Sequence, residues 1–397
     1  MNRKLVITSL EEKIITATIE NDIVVELHCA EKESANAIPR LGNIYVGRVK
    51  NIVANINAAF IEIENGIECY YAIAENSTPF FTKKIGKKPL CIGDELLVQI
   101  SREAVKTKAP TVTSELNFTG KYAVLTHGDT RIGASTKLSK SDKERLINIA
   151  SQYKTESFGI IMRTNAKDAE EDVLNTEIVN LINEYNDIIQ KAPTRTTFSC
   201  LKKAPKEYLT ELKNIYQDGL TEIVVEDQGI YDEVKDYLQK EQPEDIEKLR
   251  LYYDKLLPLH KLYSIEKRLE DALKEYVWMK SGSYLVIQPT EALTVIDVNT
   301  GKNISKKKDD ETYLKINLEA AREAAKQIRL RNLSGIIIVD FINMNKKEYT
   351  EQLLSEFESL LKRDPIATTL VDMTKLQLVE VTRKKVRKPL HELMYAK

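Results

Sequence analysis

The sequence predicts a multi-domain protein of α/β and β units, with a small β-barrel after an opening set of strands and a layered α/β domain at the end. Three observations carry this reading. The chain has 397 residues, more than one hydrophobic core supports, so it should divide into several units. Short alternating β-branched runs fill roughly the first hundred residues. After Phe118 strand-like and helix-like periods alternate, as they do in layered α/β material.

The opening stretch "KLVITSLEEKIITATIENDIVVELHCAE" reads as a three-strand meander, broken at Glu11-Glu12 and Asn21-Asp22. After Pro39, "GNIYVGRVKNIVANINAAFIEIENGIECYYAI" continues as alternating strands, with turn signals at Asn55 and Asn65-Gly66, and "GDELLVQISREA" adds another. Short strands of this kind close into a small barrel, and the OB-fold is one of the few closed forms of that size. The basic, aromatic-led "FFTKKIGKKP" reads as a loop of that barrel.

Next come a strand in "KYAVLTHG", a capped helix in "SKSDKERLINIASQYK" and a strand in "FGIIMRTN". In "EEDVLNTEIVNLINEYNDIIQKA" an apolar stripe runs through Val173, Leu174, Ile178, Leu181, Ile182, Tyr185, Ile188 and Ile189, completing a small α+β unit. Helix, strand and helix follow in "EYLTELKNIYQDG", "LTEIVVED" and "QGIYDEVKDYLQKE", and Pro258 closes that region. The last third opens with "SIEKRLEDALKEYVWMKSG", read as a helix closed by Gly282, then "SYLVIQPTEALTVIDVNTG", a hairpin turned at Pro289-Thr290. The pattern of "ETYLKINLEAAREAAKQIRLRNL" is strongly helical, with Leu314, Leu318, Ala321, Ala325 and Ile328 on one face. The continuous apolar run "GIIIVDF" predicts a strand buried on both faces, and "KEYTEQLLSEFESLLKRD" a second amphipathic helix.

Composition excludes several classes. Fifty-nine lysines and arginines against 60 acidic residues leave a net charge of −1, so no global field attracts a polyanion and nucleic-acid binding must come from local patches. Cys29, Cys69, Cys91 and Cys200 are far apart and form no C-x-x-C pair, which argues for reduced thiols and against zinc or a disulfide framework. No apolar run approaches bilayer length and the start has no signal-peptide core, so a cytoplasmic location with no membrane segment is expected.

The apolar run "LTVIDVN" ends on Asp297 and Asn299, which share one strand face, and Asp340 ends its own run 43 residues later. The intervening helix is long enough to bring the two strands side by side. Two carboxylates and an amide are hard oxygen ligands suited to magnesium or manganese, and a metal held there could activate water against a phosphodiester. Lys302, with Lys306, Lys307 and Lys308 in "TGKNISKKKDD", would supply phosphate contacts. Aspartate after an apolar strand also commonly caps a helix or opens a turn. A lysine run is commonly a solvated loop, and spacing alone leaves both readings standing.

The composite of "EALTVIDVNTGK", "INLEAAREAAKQIRLRNLSGIIIVDFINM" and "VEVTRKKVRKPL" resembles the catalytic region of the ribonuclease E/G family of bacterial endoribonucleases. The likeness extends more loosely to "GNIYVGRVKNIVANINAAFIEI" and "FGIIMRTNA". It implies an RNase H-like subdomain at 1–39 and 207–275, interrupted by an OB-fold RNA-binding domain at 40–117 and an α+β sensor of the RNA 5′ end at 118–206. A DNase I-like α/β catalytic domain at 276–397 completes it. On this resemblance Asp297 and Asp340 match magnesium-binding aspartates, and Asn299 the asparagine that supports them. Arg163, Thr164 and Gly133 match the pocket for a 5′-monophosphate. Phe60, Tyr70 (where a phenylalanine is usual) and Lys108 match residues that contact single-stranded RNA. Without it, Arg163 reads as a surface strand-end arginine and Phe60 as barrel core.

The implied function is magnesium-dependent cleavage of single-stranded RNA in processing and decay, stimulated by a 5′-monophosphate and leaving 5′-phosphate products. Three departures from the family pattern accompany it. No C-P-x-C pair follows "VRKPL", so any homodimer should form without a zinc-link. Asn343 in "DFINM" stands where a second aspartate is usual, and a scaffold of the kind built on a long C-terminal extension is not expected. An RNA-binding protein with weak or lost catalysis is the alternative. A deoxyribonuclease or RNase H-type activity rests on fold analogy alone.

Overall fold

The structure, a computed structural model, describes residues 2–32, 40–104, 108–215, 219–301 and 310–395. The chain divides into two compact units, Met1–Lys32 with Asn214–Lys397, and Glu33–Lys213.

In the first unit the opening meander forms as read. Strands Arg3–Leu10, Lys13–Glu20 and Ile23–Glu31 pair antiparallel, and both residues of the Asn21-Asp22 turn take positive φ, the backbone that two-residue hairpins require. Leu220–Val225 joins the edge of this sheet in parallel with Arg3–Leu10, and Leu249–Leu251 pairs with it in turn. The N-terminal strands are thus completed by a segment about two hundred residues later, which the loop-closure cost tolerates because it grows only slowly with length.

The same unit holds a six-stranded sheet in the order Tyr276–Trp278, Tyr284–Pro289, Leu293–Asn299, Gly335–Asp340, Leu378–Arg383 and Thr368–Met373. Leu285, Ile287, Ile296, Val298, Ile337, Val339, Val379 and Val381 on one face pack against helices Asp310–Leu330 and Lys347–Leu361. Among the described residues the opposite face carries no helix from this core. Two expectations are corrected here. "GIIIVDF" is not buried on both faces: Ile337 and Val339 are buried, while Ile336 is 50% exposed, because both helices lie on one side. The helix read through to Gly282 spans only Ile265–Leu273. Lys274 turns to extended backbone (φ −76°, ψ 143°) and Tyr276–Trp278 becomes the edge strand of the sheet. Gly282 (φ +85°) sits between that strand and the next rather than ending a helix.

The second unit contains a closed five-stranded barrel, consistent with an OB-like unit. Ile44–Val53, Ala58–Glu62, Glu68–Ala72, Thr111–Thr113 and Glu95–Arg102 pair in that order, and the first closes on the last. Gly47 permits the closure, since a Cβ there would lie 2.5 Å from Cγ2 of Ile61. The stretch read as a basic loop is in part a strand: Phe81–Lys83 pairs antiparallel with Glu95–Arg102, and Lys84 just after it pairs with the buried Asp94, which also accepts backbone N–H bonds from Ile85 and Cys91. Beyond the barrel, a four-stranded sheet ordered Asn117–Thr119, Ala123–His127, Phe158–Met162 and Ile132–Ala134 is covered by helices Lys140–Ser151 and Glu171–Lys191. Among the described residues no helix is long and apolar enough to cross a membrane.

Candidate active site

The acidic residues meet on the open face of the six-stranded sheet. Leu293–Asn299 pairs in parallel with Gly335–Asp340, in a register that sets Asp297 directly opposite Asp340. Neighbours on adjacent strands lie about 4.8 Å apart and point to the same face. Asn299, two residues on, shares that face, and its Nδ2 donates to Oδ2 of Asp297 at 2.8 Å. Both aspartates are half-buried. Burial, and then the facing Asp297 charge, push the Asp340 carboxyl above its ordinary value.

Two like charges held face to face are what a shared cation relieves. The donor set fits one: two carboxylates and an amide, all oxygen, suit a hard divalent ion that also keeps water and phosphate oxygens in its shell. Among the described residues no group of three or more His, Cys, Asp or Glu gathers elsewhere as a rival metal site.

The segment after Asp340 is fixed from beneath by a residue that the apolar pattern of its helix conceals. Asn317 is fully buried in Asp310–Leu330. Its Nδ2 donates to the Ile342 carbonyl at 2.8 Å, and its Oδ1 accepts from the Ile342 N–H at 3.0 Å. Phe341 packs edge-on against Phe357, centroids 5.5 Å apart. The signal for Asn317 was a polar residue one turn after Leu314 on the buried stripe. Asn317→Ala strands both backbone groups of Ile342. It should cost about 1–3 kcal/mol of stability and lower any activity that depends on Asp340, as thermal melts and rate measurements on one preparation would show.

The sensor candidates also come together. Gly133 pairs with Ile161 on the strand that leads into Arg163 and Thr164. The hydroxyls of Ser135 and Thr164 are hydrogen-bonded at 2.9 Å. Nη1 of Arg163 donates to the carbonyls of Gly120 (2.6 Å) and Lys213 (3.2 Å), which fixes where the guanidinium sits. On the barrel, Phe60 and Tyr70 are register partners, their rings 6.3 Å apart and edge-on. Both are half-buried, while Ala59, Ile61 and Cys69 beside them fill the core. Lys108 is exposed, just before Pro110, whose carbonyl accepts the Tyr70 N–H. Lys302 lies outside the described residues, as do Lys306, Lys307 and Lys308. Asn343 is exposed, beyond the end of the Asp340 strand.

The family model described as Ribonuclease E/G family matches residues 117–386. Ribonuclease G of Salmonella typhimurium (strain SL1344) is 29% identical, covering 99% of this chain and 82% of its own length. Ribonuclease E of Nostoc sp. is 31% identical, covering 96% of this chain and 56% of its own length. Ribonuclease E of Synechocystis sp. is 32% identical, covering 89% and 53% respectively.

Proposed function

The chain belongs to the ribonuclease E/G family and is an endoribonuclease, and from that premise we propose that it cuts single-stranded RNA by metal-assisted hydrolysis at Asp297, Asn299 and Asp340. The observation that carries the proposal is the direct register of Asp297 and Asp340 on an open sheet face, braced by Asn299. Magnesium, or manganese in its place, bound by the two carboxylates would supply a water of lowered pKa and offset charge on the phosphodiester. The residues do the rest. Asp297 and Asp340 hold the charge that makes the site a cation trap, Asn299 orients Asp297, and Asn317 keeps the backbone after Asp340 in place. Hydrolysis adds one water across the P–O3′ bond, leaving a 5′-phosphate on one product and a 3′-hydroxyl on the other.

In this reading residues 40–117 grip the strand through Phe60, Tyr70 and Lys108, by ring stacking and a cation, the combination that unpaired RNA requires. Residues 118–206 read the 5′ end, with Arg163 and Thr164 as phosphate ligands. Residues 1–39 and 207–275 form the supporting RNase H-like part, and 276–397 the catalytic domain. The setting is RNA processing and decay in the cytoplasm. Purified protein should cut a 5′-labelled single-stranded RNA with magnesium and stop on addition of EDTA. RNA left uncut across a magnesium titration would end the proposal.

Arg163→Ala should narrow the preference for 5′-monophosphorylated over 5′-hydroxyl RNA while leaving the rate on 5′-hydroxyl RNA near wild type. Loss of a charged hydrogen bond of about 1.5–3 kcal/mol predicts a change of roughly tenfold or more in the ratio. Equal loss on both substrates would assign Arg163 a structural role through Gly120 and Lys213 instead.

A further inference from the structure

The six-stranded sheet carries a second feature beside the carboxylates. Tyr276 is 54% and Trp278 64% exposed, both on the edge strand. Tyr284, on the next strand, bridges them, its ring centroid 5.8 Å from Tyr276 and 4.9 Å from Trp278. Three rings thus make one aromatic surface at a sheet edge that no further strand pairs among the described residues. Proteins usually guard such edges with charge rather than display rings there.

The register ties this surface to the site. Trp278 pairs with Tyr284, and Tyr284 with Asn299. Tyr276 pairs with Val286, Val286 with Asp297, and Asp297 with Asp340. Residues paired across strands share a face, so the rings and the carboxylates occupy the same side of the sheet. At about 4.8 Å per strand, the edge rings stand roughly 10 Å from the Asn299 and Asp297 row. Val286, half-buried between Tyr276 and Asp297, supplies an apolar floor.

We propose that Tyr276, Trp278 and Tyr284 form a stacking surface for an unpaired base of the RNA, close to the phosphate being cut. The inference rests on the nuclease reading and adds a base-binding subsite to it. An aromatic face beside a phosphodiester site suits a nucleobase, since every base has a π-face and stacking needs no particular sequence. The surface holds the substrate near the carboxylates without touching the reacting atoms.

Trp278 is the only tryptophan of the chain, so intrinsic fluorescence reports this place alone. The full-length Asp340→Asn protein with magnesium is titrated with a single-stranded RNA oligonucleotide, and with versions carrying one abasic nucleotide at successive positions. Anisotropy of labelled RNA gives binding independently. Saturable quenching is expected, with affinity reduced about five- to 150-fold when the abasic position falls on the aromatic surface. In the active protein, Trp278→Ala should raise KM by a similar factor with kcat little changed, and Trp278→Phe should restore much of it. RNA that binds and is cut normally, with no fluorescence change and no effect of Trp278→Ala, would overturn the inference and leave the nuclease reading intact. A wild type that neither binds nor cuts RNA would remove that reading and this subsite with it. Quenching by an added protein but not by RNA would assign the surface to a protein partner and also overturn the inference.

Discussion

Asp340→Asn should lower the rate of RNA cleavage by about a thousandfold, while RNA binding measured by anisotropy stays within a few-fold of wild type. A metal ion contributes several kcal/mol to a phosphodiester transition state, and about 4 kcal/mol corresponds to three powers of ten in rate. The substitution keeps the volume and removes the charge, so the sheet need not rearrange. Asp340 is the better choice for this test because it faces Asp297 directly, whereas Asp297 also accepts from Asn299. Removing one of two repelling carboxylates should not destabilise the fold. A variant with wild-type rate at saturating magnesium would show that the pair does not bear the chemistry.

Asp364→Ala should destabilise its unit by about 3–5 kcal/mol, because it leaves a buried guanidinium without its counter-charge. Arg383 donates from Nε to Oδ2 of Asp364 at 2.7 Å and from Nη2 to Oδ1 at 3.3 Å. Its Nη1 donates to Asn332 Oδ1 at 2.7 Å and to the Leu333 carbonyl at 3.0 Å. Both charged side chains are almost fully buried. For a unit of about two hundred residues the loss corresponds to a melting point roughly 6–20 °C lower. Adding Arg383→Met should recover part of it, since an apolar pair avoids the desolvation cost of an unpaired ion. Arg383 sits opposite Gly335, at the far end of the strand from Asp340. Cleavage well below the new melting point should therefore persist. A melting point within 2 °C of wild type, a shift far below the about 3–5 kcal/mol expected, would contradict the account.

The features legible in the sequence were those written in local pattern. Asp297 and Asp340 stand at the ends of apolar runs flanking one long helix, so their type and spacing could be read before any contact was known. The barrel was visible as alternation with turn residues at Asn55 and Asn65-Gly66. Two other features depend on tertiary context. A continuous run such as "GIIIVDF" cannot tell one-sided from two-sided burial, and only the placement of both helices on one face leaves Ile336 open. The stretch "KEYVWMKSG" continues a helical period and ends on a glycine that resembles a C-cap. Pairing of Tyr276–Trp278 with Tyr284–Pro289 overrides that local preference. The aromatic surface beside the carboxylates stayed hidden for the same reason: a strand, unlike a helix, turns Tyr276 and Trp278 to one side.

The pairing of Asp297 with Asp340 as one cation site is most directly tested by anomalous diffraction from crystals of the protein soaked in manganese. The account predicts a single strong peak within coordination distance of a carboxylate oxygen from each of the two aspartates, lost in Asp340→Asn. A peak held by other residues, or none beside these carboxylates at manganese concentrations that support cleavage, would contradict it.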